Sequence, residues 1–308
     1  VPARADVTRW RDLRLEAEAA LREAGVLEPA TEARWMVERV SGCESAELIV
    51  AEAEPATERA HLHLRSMLER RAKGEPLQYV LGVWSFRGLD LLVDRRVLIP
   101  RPETEYTAEI AIEEAVRVGA RRGGANPWGG AATTYAIADL GTGSGALALA
   151  LAAELPDADV WATDASDEAL AVARANLAGA GLPATRIRLA AGDWFDALPA
   201  ELRGNLRLVV TNPPYVSEAE LAELPAEVVD YEPVSALVSG PRGLDAIEEI
   251  VAAAPAWLEP EVGALVCELA PHQAEAASEL ARGARFTEVL VRRDLTGRER
   301  VLVARFGG

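Results

Sequence analysis

From Tyr135 onward the chain repeats one pattern: a short apolar run, a turn rich in glycine or aspartate, then a helical stretch. No other feature limits the fold as strongly. Strands alternating with helices in this way close into a mainly parallel sheet with helices on both faces. Strands are expected over Ala136 to Leu140, Val160 to Thr163, Ile187 to Ala190, Leu206 to Thr211 and Ala264 to Leu269. Two closing strands lie near Thr287 to Val291 and Arg300 to Phe306. Helices are expected over Ala146 to Leu155, Glu168 to Ala178, Leu244 to Leu258 and from Gln273. In such sheets ligands bind beyond the carboxyl ends of the strands, so residues at those ends are the candidates for function.

The preceding part reads differently. From Val7 to about Gly74 apolar residues recur at helical spacing in three runs, and Trp35, Met36 and Met67 are expected in the core of a small helical bundle. After Glu75-Pro76 the period changes, and Gln78 to Leu98 has strand-like stretches punctuated by Gly82 and Gly88, read as a linking β-hairpin. Gly119 to Thr134 reads as a glycine- and alanine-rich loop. Its Asn126-Pro127-Trp128 is one proline short of a motif met later and is given no role. The expected organisation is a helical domain over 1–75, a hairpin linker over 76–100 and an α/β domain over 101–308.

Four strand ends carry polar or glycine-rich residues in order. The first ends in Asp139-Leu140-Gly141-Thr142-Gly143-Ser144-Gly145 and opens a helix, so bare backbone and free N–H groups can approach a ligand. No Gly-Lys-Ser/Thr follows, which excludes a phosphate-binding P-loop. The second ends at Asp164, placed to accept hydrogen bonds from both hydroxyls of a ribose. The third ends in Gly192-Asp193-Trp194, a carboxylate and a ring able to flank an adenine. Taken singly, Asp164 reads equally as a helix cap, Asp193 as a turn and Trp194 as packing. Their succession favours a nucleoside-type cofactor.

The fourth strand runs into Asn212-Pro213-Pro214-Tyr215. Two prolines fix the chain and remove backbone donors. The Asn212 side-chain oxygen and the Pro213 carbonyl can then both face an NH2 group, and Tyr215 offers a flat surface to a planar one. An amide or aromatic amine nitrogen is a poor nucleophile because its lone pair is delocalised. Two fixed acceptors hold its hydrogens and stabilise the positive charge that develops on nitrogen during transfer to it. No strong base is needed, so His61, His63 and His272 are assigned to surface or packing.

Charge narrows the partners. The net charge is −17 and Lys73 is the only lysine, which disfavours nucleic acid because phosphate neutralisation supplies most of such affinity. No apolar run approaches a membrane span, and the opening residues, with Arg4, Asp6, Arg9, Arg11 and Asp12, are not expected to form a signal-peptide core. Cys43 and Cys267 make neither a metal motif nor a disulfide framework, so no metal is expected, and free thiols fit a cytoplasmic chain. Nothing demands more than a monomer.

At these residues the sequence resembles the HemK/PrmC family of peptide chain release factor glutamine methyltransferases. The likeness extends to Gln78-Tyr79-Val80-Leu81-Gly82, Leu98-Ile99-Pro100-Arg101-Pro102-Glu103-Thr104-Glu105, Tyr231-Glu232-Pro233, Gly243-Leu244, the Glu268 to Gln273 stretch and Asp294 to Arg300. Ala270 stands where the family is expected to have glycine, and the loop before Tyr135 is longer than usual. The resemblance implies a Rossmann-like, class I S-adenosylmethionine-dependent methyltransferase domain behind a helical substrate-recognition domain. It also implies methylation at N5 of the glutamine in the Gly-Gly-Gln motif of release factors. By motif, Gly141 to Gly145, Asp164 and Trp194 would bind S-adenosylmethionine, and Asn212 to Tyr215 the glutamine. Asp139, Asp193 and Asn212 are added to the cofactor set from their strand-end positions. Three other readings stay open: a ribosomal-protein glutamine methyltransferase, an adenine-N6 methyltransferase acting on nucleic acid, and a binding module without catalysis.

Overall fold

The computed structural model describes residues 8–121 and 135–306. The chain divides into two compact units. One runs to Val83 and also takes Ala226–Tyr231; the other comprises Trp84–Pro225 and the chain from Glu232.

The first unit contains α1 (Trp10–Glu23), α2 (Pro29–Ser41), α3 (Ser45–Ala51), α4 (Glu58–Ala72) and α5 (Leu77–Leu81). Leu13, Ala17 and Leu21 of α1 pack with Ala33, Met36 and Val37 of α2 and with Leu64 and Met67 of α4, all buried. These positions recur every three or four residues, the spacing that puts them on one helix face. Thr57 caps α4 by accepting the Ala60 N–H at 3.1 Å. The Arg71 guanidinium forms a two-pronged pair with Glu32, at 2.7 and 3.0 Å, and reaches Glu227 at 3.3 Å.

Two details depart from the sequence reading. The seven-residue α3 was not separated from its surroundings, and Leu77–Leu81 is a helical turn where Gln78 onward reads as strand. That turn is closed by the Val80 N–H to Pro76 and the Gly82 N–H to Gln78, and Gly82 stops it at φ 70°. Leu77, Tyr79, Val80 and Leu81 are all buried. A short apolar run buried on every side carries no period by which helix and strand can be told apart.

The hairpin strands are β1 (Val83–Phe86) and β2 (Leu89–Leu92). Arg87 and Gly88 turn them at φ 48° and 75°, the pair of positive angles that matches strand twist. Arg87 is held there by its N–H to Glu105, at 2.9 Å, and by its guanidinium on Glu154, at 2.7 and 2.9 Å. Next comes α6 (Pro102–Arg121), which takes in Gly119 to Arg121, read from the sequence as the start of a loop; the rest of that glycine- and alanine-rich stretch, with Asn126-Pro127-Trp128, lies outside the described residues.

The remaining elements are β3 (Tyr135–Leu140), α7 (Ala146–Glu154), β4 (Ala158–Asp164), α8 (Asp167–Gly179), β5 (Ile187–Ala191), β6 (Leu206–Thr211), α9 (Ala226–Tyr231), α10 (Asp245–Ala253), β7 (Ala264–Glu268), α11 (Ala274–Gly283), β8 (Glu288–Arg293) and β9 (Glu299–Arg305). Helix α10 stops short of the expected Leu258, because Pro255 cannot donate the next helical bond and the chain tightens into a 3-10 turn. Seven strands form one sheet in the order β5-β4-β3-β6-β7-β9-β8. All pairs are parallel except those made by β9.

Alternate strand residues serve two cores. Ile137, Val160, Val210 and Val266 meet α6 and α7 on one face. Ala138, Leu140, Val209 and Leu265 meet α10 and α11 on the other. The chain leaves β3 for β4 and β5 on one side, then returns to place β6 on the other. This reversal opens a crevice beyond the ends of β3 and β6. Among the described residues no helix is long and apolar enough to cross a membrane.

Candidate active site

The loop after β3 turns on three left-handed glycines, Gly141, Gly143 and Gly145, at φ 72°, 56° and 83°. Asp139 fixes this loop from behind. Its Oδ2 accepts the Thr142 hydroxyl at 2.6 Å and the Ala148 N–H at 3.1 Å, whereas its Oδ1 is buried without a partner. Complete burial pushes the Asp139 carboxyl up to about 7. Asp164, closing β4, accepts the Gly143 N–H at 2.8 Å and the Ser166 N–H at 2.9 Å, one on each oxygen. Burial raises its pKa, and those two bonds oppose the shift. Each oxygen keeps a further acceptor site.

Beyond β5, Trp194 takes the left-handed conformation at φ 37°, and the Thr163 hydroxyl holds its carbonyl at 3.2 Å. The indole lies against the loop so closely that a Cβ on Gly141 would come within 3.2 Å of it. Between these elements is a cavity of about 350 Å³. Gly141, Thr142, Gly143, Ser144, Asp164, Asp193, Trp194, Asn212 and Pro214 all contribute to its wall. Asp139 and Gly145 sit behind that wall, and Pro213 and Tyr215 are not part of it.

The strands carrying the glycine loop and Asn212 are adjacent, with Leu140 opposite Thr211. The Thr211 hydroxyl, bonded to the Leu140 carbonyl at 2.8 Å, ties the two ends together. The Asn212 Nδ2 donates to the Thr104 hydroxyl at 3.1 Å, leaving Oδ1 buried with no partner. Tyr215 is fixed at both ends. Its hydroxyl meets Glu268 at 3.4 Å, and its carbonyl accepts the Gln273 Nε2 at 2.8 Å. That Nε2 also donates to the Gly243 carbonyl at 2.9 Å. Burial, with Glu268 alongside, pushes the phenol upward, so Tyr215 stays protonated. From the Pro100 to Glu105 run, Pro100 and Thr104 also line the cavity. Arg101 of the same run pairs with the buried Glu232, which also accepts the Ile99 N–H at 3.3 Å.

Thr104, Gly243, Glu268 and Gln273 therefore underlie the site, although motif reading gave them no task. Glu268 had a signal: a lone charge closing the apolar run Leu265-Val266-Cys267, where a strand buried on both faces carries none. Among the described residues no group of His, Cys, Asp or Glu is placed to hold a metal ion.

A site of backbone cradle, paired acceptors and orphaned amide oxygen suits group transfer to nitrogen, and similarity to known proteins agrees. The PrmC N-terminal domain model matches residues 12–82, and the methyltransferase small domain model matches residues 131–230. The release factor glutamine methyltransferase of Deinococcus radiodurans is 40% identical over 298 residues, covering 97% of this chain and 99% of its own. The protein of the same name from Gloeobacter violaceus is 39% identical over 290 residues, covering 93% and 94%.

The chain belongs to the release factor glutamine methyltransferase family. Its sheet is shared with more distant enzymes. The catalytic domain of hMettl16, solved in complex with a MAT2A 3′UTR hairpin, superposes with a TM-score of 0.52 at 15% identity over 84% of each chain. That likeness concerns the class I methyltransferase fold alone. Like its relatives in the family, the chain is a methyltransferase.

Proposed function

We propose that the chain transfers a methyl group from S-adenosylmethionine to the N5 side-chain amide of the glutamine in the Gly-Gly-Gln motif of peptide chain release factors. The observation that carries this reading is the buried, unpartnered Oδ1 of Asn212 in the wall of the same cavity as the glycine loop. A buried acceptor without a donor costs stability, and a substrate N–H is what would relieve it. The names of the full-length relatives supply the substrate class.

The residues present fit the cofactor. Bare glycines leave the loop backbone open to it, the spare acceptor sites of Asp164 suit ribose hydroxyls, and the Trp194 face with Asp193 suits an adenine. Bound there, S-adenosylmethionine supplies a methyl on a positively charged sulfur. Asn212 Oδ1, in the cavity wall, would accept one amide hydrogen, orient the nitrogen and stabilise the charge it gains; the Pro213 carbonyl, which does not line the cavity, is the second acceptor on the motif alone. Tyr215, protonated and clamped, braces the turn. The methylated amide cation is acidic enough to lose its proton to water, so no side chain is assigned as base. The substrate is a translation protein, which puts the reaction in the cytoplasm.

The test is methyl transfer from labelled cofactor to recombinant release factor, with peptide mass spectrometry across the Gly-Gly-Gln segment. A single added methyl on the glutamine is expected. An unlabelled release factor with cofactor binding intact overturns the proposal, and parallel reactions with ribosomal subunits and duplex DNA would then identify the substrate.

A further inference from the structure

Successive residues of the loop after β3 are each held by a different side chain. Asp139 accepts the Thr142 hydroxyl, Asp164 accepts the Gly143 N–H, and Asn176 of α8 donates its Nδ2 to the Ser144 carbonyl at 2.8 Å. Asn176 also reaches away from the loop. Its Nδ2 donates to the Leu92 carbonyl at 3.1 Å, and its Oδ1 accepts the Leu92 N–H at 2.7 Å. Leu92 is the last residue of β2, so one buried amide joins the glycine loop to the end of the hairpin. From Leu92 the chain runs directly into Arg95, Arg96, Val97, Leu98 and Pro100, all of which line the same cavity as Ser144.

We propose that Asn176 is a positioning residue that sets two walls of the cavity in register, the glycine loop and the Arg95 to Pro100 segment, and so couples cofactor binding to the anchoring of Leu92. The inventory of donors and acceptors fixes its orientation. Both Nδ2 hydrogens meet carbonyls and the oxygen meets an N–H, whereas a flipped amide would set oxygen against two carbonyls. With no donor to spare, Asn176 cannot follow Ser144 and Leu92 separately. Packing restricts it further. A Cβ on Gly145 would stand 3.4 Å from the Ala173 Cβ and 3.6 Å from the Leu177 Cδ1, so α8 lies directly against the loop. Ala173, Asn176 and Leu177 share that face of the helix by their spacing. A ligand that fixes the Ser144 backbone therefore fixes the Asn176 amide, and through it both polar groups of Leu92. Linkage makes the coupling reciprocal, so an anchored Leu92 favours the bound form of the loop. Asn176 itself does not line the cavity. The assignment rests on the cofactor binding at the glycine loop, as proposed above.

The experiment follows amide exchange at Leu92, with S-adenosylhomocysteine binding by calorimetry and thermal melting, in the wild type, N176A and N176D. The control amide is Arg87, held by Glu105 at the turn of the same hairpin. In the wild type, saturating S-adenosylhomocysteine should slow exchange at Leu92 by about tenfold and leave Arg87 unchanged, because the coupling restrains a local opening. N176A should exchange fast at Leu92 with or without the ligand, and its affinity for S-adenosylhomocysteine should fall by roughly tenfold. N176D divides the grip: its carboxylate still accepts the Leu92 N–H but turns an oxygen toward the Ser144 and Leu92 carbonyls. Its affinity should fall at least as far as that of N176A, while its Leu92 amide stays slower than in N176A and no longer responds to the ligand. A merely structural role would lower melting and affinity together without any response at Leu92 in the wild type. Exchange at wild-type Leu92 that ignores the ligand, or that slows no more than at Arg87, overturns the proposal, and this comparison holds even if neither variant folds. Ligand-dependent slowing that persists in N176A also overturns it. A wild type that does not bind S-adenosylhomocysteine would instead remove the reading of the loop on which it rests.

Discussion

Replacing Gly243 by alanine should disable the enzyme although Gly243 does not line the cavity. The residue sits at φ +70°, where a Cβ costs about 1–2 kcal/mol. That Cβ would also stand 2.3 Å from the Tyr215 carbonyl oxygen, 2.8 Å from Gln273 Nε2 and 3.0 Å from the Ser217 nitrogen. Ordinary contact needs ~3.5 Å, so something must yield by roughly 1 Å. Two of the three neighbours are backbone, and the third is the amide that fixes Tyr215. Strain and overpacking together should destabilise the protein by about 2–5 kcal/mol. If the Tyr215 carbonyl is what moves, Asn212 to Tyr215 shift with it, and a displacement of ~1 Å costs turnover on the order of a hundredfold. G204A is the control: Gly204 has φ +74° but nothing within 4 Å, so it carries the strain without the collision. The assay is methyl transfer with chemical denaturation of both variants. G243A that matches G204A in stability and the wild type in kcat would refute the argument.

N212A should abolish measurable turnover while leaving cofactor affinity within a few-fold of wild type; equal losses in both would assign Asn212 to the cofactor instead. D164A should show the reverse, with weakened cofactor binding as its first effect in calorimetry. Asp139 offers a pH test. Its carboxyl stands at about 7 in the fold against an ordinary 3.8, so the folded chain binds that proton more tightly than the unfolded one. The stability it contributes is fully present below 3.8 and is lost as pH rises to about 7. Both of its donors sit on one oxygen, so asparagine can keep them and put NH2 where Oδ1 lacks a partner. D139N should therefore gain stability relative to the wild type across that window, and parallel stability–pH curves would contradict it.

The sheet was readable from the sequence because its strands are apolar runs buried on both faces and bounded by glycine, aspartate or proline; Leu206–Thr211 matches its expected bounds at both ends. Local chemistry also marks the glycine loop, Asp164 and the Asn-Pro-Pro-Tyr turn, since each pairs an unusual residue run with a strand end. What lies behind them was not readable. Thr104 is 108 residues from Asn212, and Thr107 is 161 from Glu268. No short window holds both members of either pair, and a threonine in a helix carries no mark of its partner. Asp139 differs in the opposite sense: its place at a strand end suggested ligand contact, whereas it does not line the cavity and its Oδ2 holds Thr142 and Ala148. Leu77–Leu81 escaped because a single turn between Pro76 and Gly82 is too short to show a period.

The first unit is not one stretch of chain. Its helices up to Leu81 are made early, yet α9, which supplies Glu227 to Arg71 and the Tyr231 hydroxyl to the Lys73 carbonyl, follows four strands of the sheet. During synthesis the bundle leaves the ribosome before its last piece exists, and waits for it while β3 to β6 are made. A cut at any one peptide bond cannot separate the units cleanly. Trimming at Val83 would strand α9 on the wrong fragment, so a shortened enzyme has to be designed as a replacement of two segments.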